Sequence, residues 1–244
     1  MLNKKKIIVT GSEGRLATKL KSIKNINYLF LSKKEFNILN ISQMERKIKL
    51  YKPKTILHLA ALSRPMMVHE TNIKKSITIN IIGTCNLVIL CQKYKIKLIY
   101  ASTNYVYSGE KKYHKETDSL LPTNNYSWSK LGGECPVHMY KNSLILRLSI
   151  SEKPFIHKYA YSNIYSSFLY HDEIIKIIPK VIDKKGILNI GGKRRSIFSF
   201  ARLSNKKVKK RKYKKDIFLY HKNLGLDNSK LRKILKNNLN FSNL

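Results

Sequence analysis

A tyrosine and a lysine four residues apart, Tyr126 and Lys130, stand 23 residues beyond Thr103 in a chain of 244 residues. On a helix that spacing puts both side chains on one face. An ammonium beside a phenol favours the phenolate and draws its pKa down from about 10. A tyrosine tuned in this way can exchange a proton with a carbonyl or hydroxyl oxygen while hydride moves to or from a nicotinamide. Thr103 follows the apolar run Lys97 to Ser102. At the C-terminal end of such a strand its hydroxyl is placed to orient the same oxygen. A chain with 15 Tyr and 40 Lys contains such pairs by chance, so the pair takes its meaning from what precedes it.

What precedes it is a glycine turn. Residues 10–17 read TGSEGRLA, directly between an apolar strand and a helix-compatible run. Gly11 permits a tight turn, Gly14 lets backbone approach a pyrophosphate with Arg15 and Leu16 behind it, and the small Ala17 allows the helix to pack closely on the strand. This is the context of a dinucleotide-binding turn. At the end of the second strand an acidic residue would bind a ribose 2′-hydroxyl, whereas Ser32-Lys33-Lys34 stands here. The basic pair, Lys33 above all, favours NADP(H), with NAD(H) as the second choice.

The elements that must hold these residues alternate regularly. Lys6 to Thr10 reads as a strand, Arg15 to Ile23 as a helix, Asn27 to Leu31 as a strand and Ser42 to Tyr51 as a helix stopped by Pro53. Thr55 to Ala61 is a third strand, Ser76 to Tyr94 a helix, Lys97 to Ser102 a fourth strand, and Ser143 to Ser149 another after a helix ending near Tyr140. Strict alternation specifies an α/β fold, a Rossmann-type doubly wound parallel sheet with helices on both faces. The pattern loosens after residue 151, with an aromatic stretch from Tyr159 to Tyr170, an amphipathic helix from His171 to Ile182 and a short strand GILNIGG at 186–192. The expected organisation is a cofactor-binding domain over 1–150 and a small C-terminal substrate-binding lobe over 151–244, with 186–192 returning to the main sheet.

Charge and composition narrow the class. Lys plus Arg is 49 against 14 acidic residues, a net charge of +35, yet only nine of the basic residues are Arg. Nucleic-acid surfaces favour Arg for bidentate contacts, and the Lys-rich run from Lys193 to Lys215 carries no groove-reading motif, so nucleic-acid binding is not expected. Ser76 to Gln92 is uncharged but just short of spanning length and contains Asn80 and Asn86, which reads as a buried helix rather than a membrane span. Three cysteines form no CxxC pair, and the start lacks an apolar signal core. A cytoplasmic protein is expected. The histidines have no ligand-like spacing, so no metal is expected, and His58 inside a strand reads as a core histidine.

Together the blocks GSEGRLA, ILHLAALSRP, NIIGTCNL, STNYVYSG, NNYSWSKLGGE and LILRLS resemble the extended short-chain dehydrogenase/reductase superfamily, and within it the dTDP-4-dehydrorhamnose reductase-like, sugar-nucleotide-binding proteins. The resemblance implies that Thr103, Tyr126 and Lys130 match the family's catalytic triad, with Tyr126 as proton donor and Lys130 also on the nicotinamide ribose. It implies cofactor contacts from Gly11, Gly14, Arg15, Leu16, Lys33, Ala60, Ala61 and Asn80, and substrate contacts from Asn104, Tyr105 and Arg147. The implied activity is NAD(P)H-dependent reduction of a nucleotide-linked 4-dehydro-6-deoxy sugar, as in dTDP-rhamnose and polysaccharide biosynthesis. A homodimer is compatible with it. The alternatives are a nucleotide-sugar epimerase or dehydratase on the same fold, or a non-catalytic NADP-binding regulatory subunit like the beta subunit of methionine adenosyltransferase. The family commonly has aspartate where this chain has Asn104, and some members bridge subunits through Mg²⁺ from a first-helix glutamate where Lys19 stands here. No metal bridge is therefore expected.

Overall fold

The computed structural model describes residues 6–214 and 221–235; Lys215, the end of the basic run, and residues 236–244 of the expected lobe lie outside them. The first half runs β1 (Ile7–Thr10), α1 (Arg15–Leu20), β2 (Tyr28–Phe30), α2 (Ile41–Tyr51), β3 (Thr55–His58), α3 (Met67–Thr71), α4 (Ile73–Ile77), a π-turn at Thr78–Ile82, α5 (Gly83–Lys93) and β4 (Lys97–Thr103). Then follow α6 (Asn125–Met139), β5 (Ser143–Leu148), β6 (Ile150–Ser151), β7 (Tyr159–Tyr161), β8 (Tyr165–Ser166), β9 (Leu169–Tyr170), α7 (His171–Val181) and β10 (Gly186–Ile190). The described chain ends with β11 (Arg195–Ser196), α8 (Ile197–Ala201), β12 (Lys209–Arg211), β13 (Asn223–Leu224) and α9 (Ser229–Leu235).

Six strands make one parallel sheet in the order β10-β5-β4-β3-β1-β2. Successive residues of a strand point to opposite faces, and here both faces are covered, so the strands read as unbroken apolar runs. Ile7, Val9, Leu57, Ile99, Leu144 and Leu146 pack on one side against Ala17 and Leu20 of α1 and Ile174, Ile177 and Ile178 of α7. Their neighbours Ile8, Ile56, Leu98, Tyr100 and Ile145 pack on the other, against Met44 and Ile48 of α2, Leu87 and Leu90 of α5 and Val137 of α6. Chain order reverses between β1 and β3, and a crevice opens beyond their C-terminal ends. Gly11 begins the turn there with φ +66°, and a Cβ on it would lie 2.7 Å from the backbone N and Cα of Ala60. Only glycine lets the turn after β1 approach the chain leaving β3 so closely.

Smaller pairings, β11-β8-β13, β12-β7 and β6-β9, build a lobe around Phe155, Ala160, Ala201 and Val208. The aromatic stretch that precedes α7 thus holds three short strands. The expected buried helix at Ser76 to Gln92 is longer, and only about a third of it is buried. Its helical run spans Ile73–Lys93, 21 residues, which by length and composition suffices to cross a membrane. In the fold Asn80, Thr84, Leu87 and Leu90 face the interior while Ile73, Ile77, Ile82 and Ile89 reach the surface.

Beneath the sheet's C-terminal edge lies a buried ion pair. Arg147 on β5 donates from Nη2 to Glu134 Oε2 at 2.9 Å and from Nη1 to the Tyr107 hydroxyl at 3.0 Å. Tyr107 in turn donates to Asn189 Oδ1 on β10 at 2.6 Å. Burial, with a smaller push from Glu116, holds the Tyr107 phenol up to about 12 against the pull of Arg147. Removing the carboxylate with Glu134→Leu leaves a buried guanidinium without its counter-ion, and a loss of about 3–5 kcal/mol is expected in chemical denaturation. The double variant Glu134→Leu/Arg147→Leu is expected to regain most of it.

Candidate active site

A cleft of about 1120 Å³ runs from Lys33 and Phe36 past Gly11, Gly14, Arg15 and Leu16, between Ala60, Ala61 and Leu62, to Thr103, Asn104, Tyr105, Tyr126 and Lys130. Its far wall comes from the lobe, through Phe155, Tyr161, Phe168 and Arg211. A cleft of this size, open at the ends of β1, β3 and β4, matches a large bent ligand.

Tyr126 sits on the first turn of α6, which starts with a capping box: Asn124 Oδ1 accepts from Ser127 N at 3.0 Å and Ser127 Oγ returns to Asn124. From α3, Glu70 accepts from Asn125 N at 3.2 Å, and the His69 ring meets the Tyr126 ring edge-on at 5.2 Å. The Tyr126 phenol hydrogen-bonds the Thr103 hydroxyl. Burial raises its pKa, while that hydrogen bond, then Arg64 and Arg15, pull it back. The phenol is therefore protonated at neutral pH.

Lys130 departs from expectation. Its ammonium is buried, lies 4.2 Å over the Tyr100 ring and is pushed by desolvation down to about 7, with Glu134 opposing. At neutral pH it is only partly charged, and the groups that pull on the Tyr126 phenol are Thr103 first and then Arg64 and Arg15.

A chain of buried hydrogen bonds ties the cofactor turn to this helix. Ala60 N donates to Thr10 Oγ1 at 3.1 Å. Thr10 Oγ1 lies 2.9 Å from His58 Nδ1, and His58 Nε2 lies 3.2 Å from Thr84 Oγ1, which donates to Asn80 O. With each hydroxyl's acceptor so assigned, Thr10 donates to Nδ1 and the ring proton is on Nε2. Burial, then the charge of Lys130, drives the His58 pKa down to about 3, so the ring is neutral. Asn80, turned inward by the π-turn, accepts from Leu62 N at 2.8 Å and donates to Leu62 O and to Ser129 Oγ. Ser129 Oγ donates to Tyr126 O at 2.7 Å.

The residues present fit a dinucleotide. The Gly11 turn leaves backbone bare beside Ala60, and two buried polar atoms on cleft-lining residues, Ser102 Oγ and Asn104 Oδ1, have no partner among the described residues. At the β2 end the acidic Glu35 is turned back, accepting from Ser32 N at 2.9 Å and Ser32 Oγ at 2.8 Å, while Lys33 lines the cleft. That arrangement offers a cation, not a carboxylate, where a ribose 2′-phosphate would sit.

Two expected contacts fall elsewhere. Asn80 does not line the cleft; it braces the Leu62 loop. Arg147, expected to touch substrate, points away from the cleft into its buried pair with Glu134, because residues of β5 alternate faces and its side chain meets α6. Asn104 lines the cleft while its Nδ2 is bound to Ser166 Oγ and Leu224 O, both at 3.0 Å, so it also fastens β8 and β13. Lys19 pairs with Asp172 of α7 at 3.1 Å. Arg64, Glu152 and Arg211 line the cleft without having been singled out. A signal existed for Glu152, one of only 14 acidic residues, which follows closely on the end of a sheet strand.

Residues 5–151 match the family described as the RmlD substrate binding domain. The chain is 29% identical over 220 residues to dTDP-D-glucose 4,6-dehydratase of Dictyostelium discoideum, covering 73% of this chain and 47% of that protein. It is 30% identical over 115 residues to methionine adenosyltransferase 2 subunit beta of Xenopus tropicalis, covering 47% of this chain and 34% of that one. It thus spans half or less of the length of these relatives. Among solved structures, dTDP-4-dehydrorhamnose reductase from Bacillus anthracis, in complex with NADP, superimposes with a TM-score of 0.84 at 23% identity over 94% of this chain and 92% of that one. UDP-glucose 4-epimerase from Thermus thermophilus, in complex with NAD, gives 0.79 at 16% over 93% and 92%. The structural likenesses establish a shared Rossmann-type fold, and with the family match over most of the main sheet, its glycine turn and its Thr103, Tyr126 and Lys130, the chain belongs to the RmlD substrate-binding-domain family of extended short-chain dehydrogenase/reductases.

Proposed function

We propose that this chain is an NADPH-dependent reductase of a nucleotide-linked 4-dehydro-6-deoxy sugar, acting in the cytoplasm in deoxysugar synthesis for polysaccharide. The observation that carries the reading is a protonated Tyr126 phenol, hydrogen-bonded to Thr103, in the same cleft as the Gly11 turn and Lys33. Residues 1–150 would hold the cofactor and 151–244 would close over the sugar nucleotide. The match of this family's NADP-bound structure supports the choice of NADP(H) over NAD(H), as does the basic Lys33 in the cleft.

The bound nicotinamide would supply hydride to the C4 carbonyl. The chain's own groups do the rest. Thr103 and Tyr126 orient the carbonyl oxygen, and Tyr126 delivers the proton that the developing alkoxide requires. The phenolate left behind is stabilised by the Thr103 hydroxyl and by the positive charge of Arg64 and Arg15. Lys130, which lines the same cleft, would hold the nicotinamide ribose. Asn104 and Tyr105, on the cleft wall next to Thr103, would contact the sugar.

Two measurements test this. Tyr126→Phe is expected to abolish NADPH oxidation with a panel of nucleotide-linked 4-dehydro-6-deoxy sugars, a loss of at least about 10²-fold, while NADPH binding stays near wild type. NADPH that binds and is never consumed by the wild-type protein would overturn the reductase. The second measurement concerns Lys130. Its folded pKa of about 7 lies below the usual unfolded value of about 10.4. Between those values the unfolded chain carries a proton that the folded chain lacks, so this residue's contribution to stability rises with pH across that window and is least favourable below it. Lys130→Met is therefore expected to raise the melting temperature relative to wild type more at pH 6 than at pH 9. Equal shifts at both would contradict the buried-ammonium assignment.

A further inference from the structure

Three segments meet at one carboxylate. Arg15, which opens α1, and Arg64, in the loop after β3, both donate from Nη1 to the same oxygen, Glu152 Oε1, the Arg64 bond being 2.9 Å. Glu152 directly follows β6, where the chain leaves the main sheet for the lobe. All three line the cleft. The Arg15 and Arg64 side chains are 46% and 41% exposed and that of Glu152 is 18% exposed. Neither guanidinium has another hydrogen-bond partner among the described residues, so Nε and Nη2 of each are uncommitted. His157 and His171 stand beside the cluster, and burial holds both below the usual histidine range, so neither adds much positive charge at neutral pH.

One carboxylate thus faces two arginines, and the cluster carries an excess positive charge toward the cleft. Arginine forks are matched to phosphate oxygens, which can engage several N–H groups at once, whereas here a single carboxylate oxygen takes both. Ion pairs this exposed contribute little to stability, so exchanging the carboxylate for a better-matched anion costs the fold little. We propose that Arg15 and Arg64 form a two-guanidinium receptor for a phosphate of the ligand that fills the cleft, and that Glu152 occupies this receptor until the phosphate displaces it. The inference rests on the reading of the cleft as a nucleotide site. The phosphate belongs either to the dinucleotide or to the diphosphate of the sugar nucleotide. Displacement also frees the chain at Glu152 from the two sheet-side arginines, so ligand entry and the hold between lobe and sheet are coupled.

The test is calorimetric titration of the full chain with NADP⁺ and, separately, with thymidine diphosphate, for wild type, Glu152→Gln, Arg64→Gln and the double variant. Glu152→Gln is expected to tighten binding of at least one titrant by about two- to fivefold, the scale of an exposed ion pair. Arg64→Gln is expected to weaken the same titrant, and Glu152→Gln is expected to have little further effect in the Arg64→Gln background. Tightening of NADP⁺ assigns the receptor to the dinucleotide, and tightening of thymidine diphosphate assigns it to the substrate. If Glu152→Gln leaves both affinities unchanged or weakens them, the proposal is overturned, and Arg64→Gln, which removes no carboxylate, decides the same question should the first variant fold poorly. Tightened NADP⁺ binding without any NADPH consumption would leave the receptor standing and remove the reductase.

Discussion

The position of the Tyr126 phenol depends on a line of buried hydrogen bonds through Thr10, His58, Thr84, Asn80 and Ser129. It starts at the strand that carries the Gly11 turn, crosses to β3, passes through the helix beyond it and ends on the backbone of α6. Each member is buried, and each donor on this line meets an acceptor. In a low-dielectric interior such a line leaves little freedom of adjustment, because moving one member strands its neighbours at a cost of about 1–3 kcal/mol per orphaned group. The π-turn at Thr78–Ile82 is part of this constraint: it turns the Asn80 side chain toward both the Leu62 loop and Ser129. The distance between the glycine turn and the phenol is therefore set by the interior, not by loops.

The same burial sets the protonation states. Desolvation disfavours charge of either sign, and in this site it keeps the Tyr126 phenol protonated, the His58 ring neutral and Lys130 half-discharged near neutrality. Lys130 is 3% exposed, and desolvation leaves it only partly charged near neutrality, so its pull on Tyr126 is reduced. The pull on the phenol comes from the Thr103 hydroxyl first and then from Arg64 and Arg15.

The sheet was legible because its strands are covered on both faces and read as short apolar runs between helical segments, and its parallel, doubly wound class follows from that alternation. Thr103, Tyr126, Lys130 and the glycine turn were legible because they lie at strand ends or on one helix face, and because the pair follows the glycine turn in order along the alternation. Arg147 and Asn80 were assigned to the cleft and are not in it. Their strand and helix were read correctly, but which way a side chain points depends on register against α6 and on a π-turn that no periodicity announces. Arg64 and Glu152 are separated by 88 residues, and in a chain with 49 basic residues no local pattern marks which one of them meets a particular carboxylate.

That excess of positive charge also explains why a carboxylate at this point matters. The cleft is lined by Arg15, Lys33, Arg64, Lys130, Lys158 and Arg211 against Glu13 and Glu152 alone. Such a surface draws anions in from a distance regardless of their identity, and long-range attraction confers rate without selectivity. Selectivity has to come from short-range geometry: the shape left bare by Gly11, the cation at Lys33 in place of a carboxylate, and an internal anion that only a ligand able to engage two guanidiniums together can replace. A chain this basic gains discrimination by keeping one of its few carboxylates inside the cleft, where it competes with every weakly bound anion that the rest of the surface attracts.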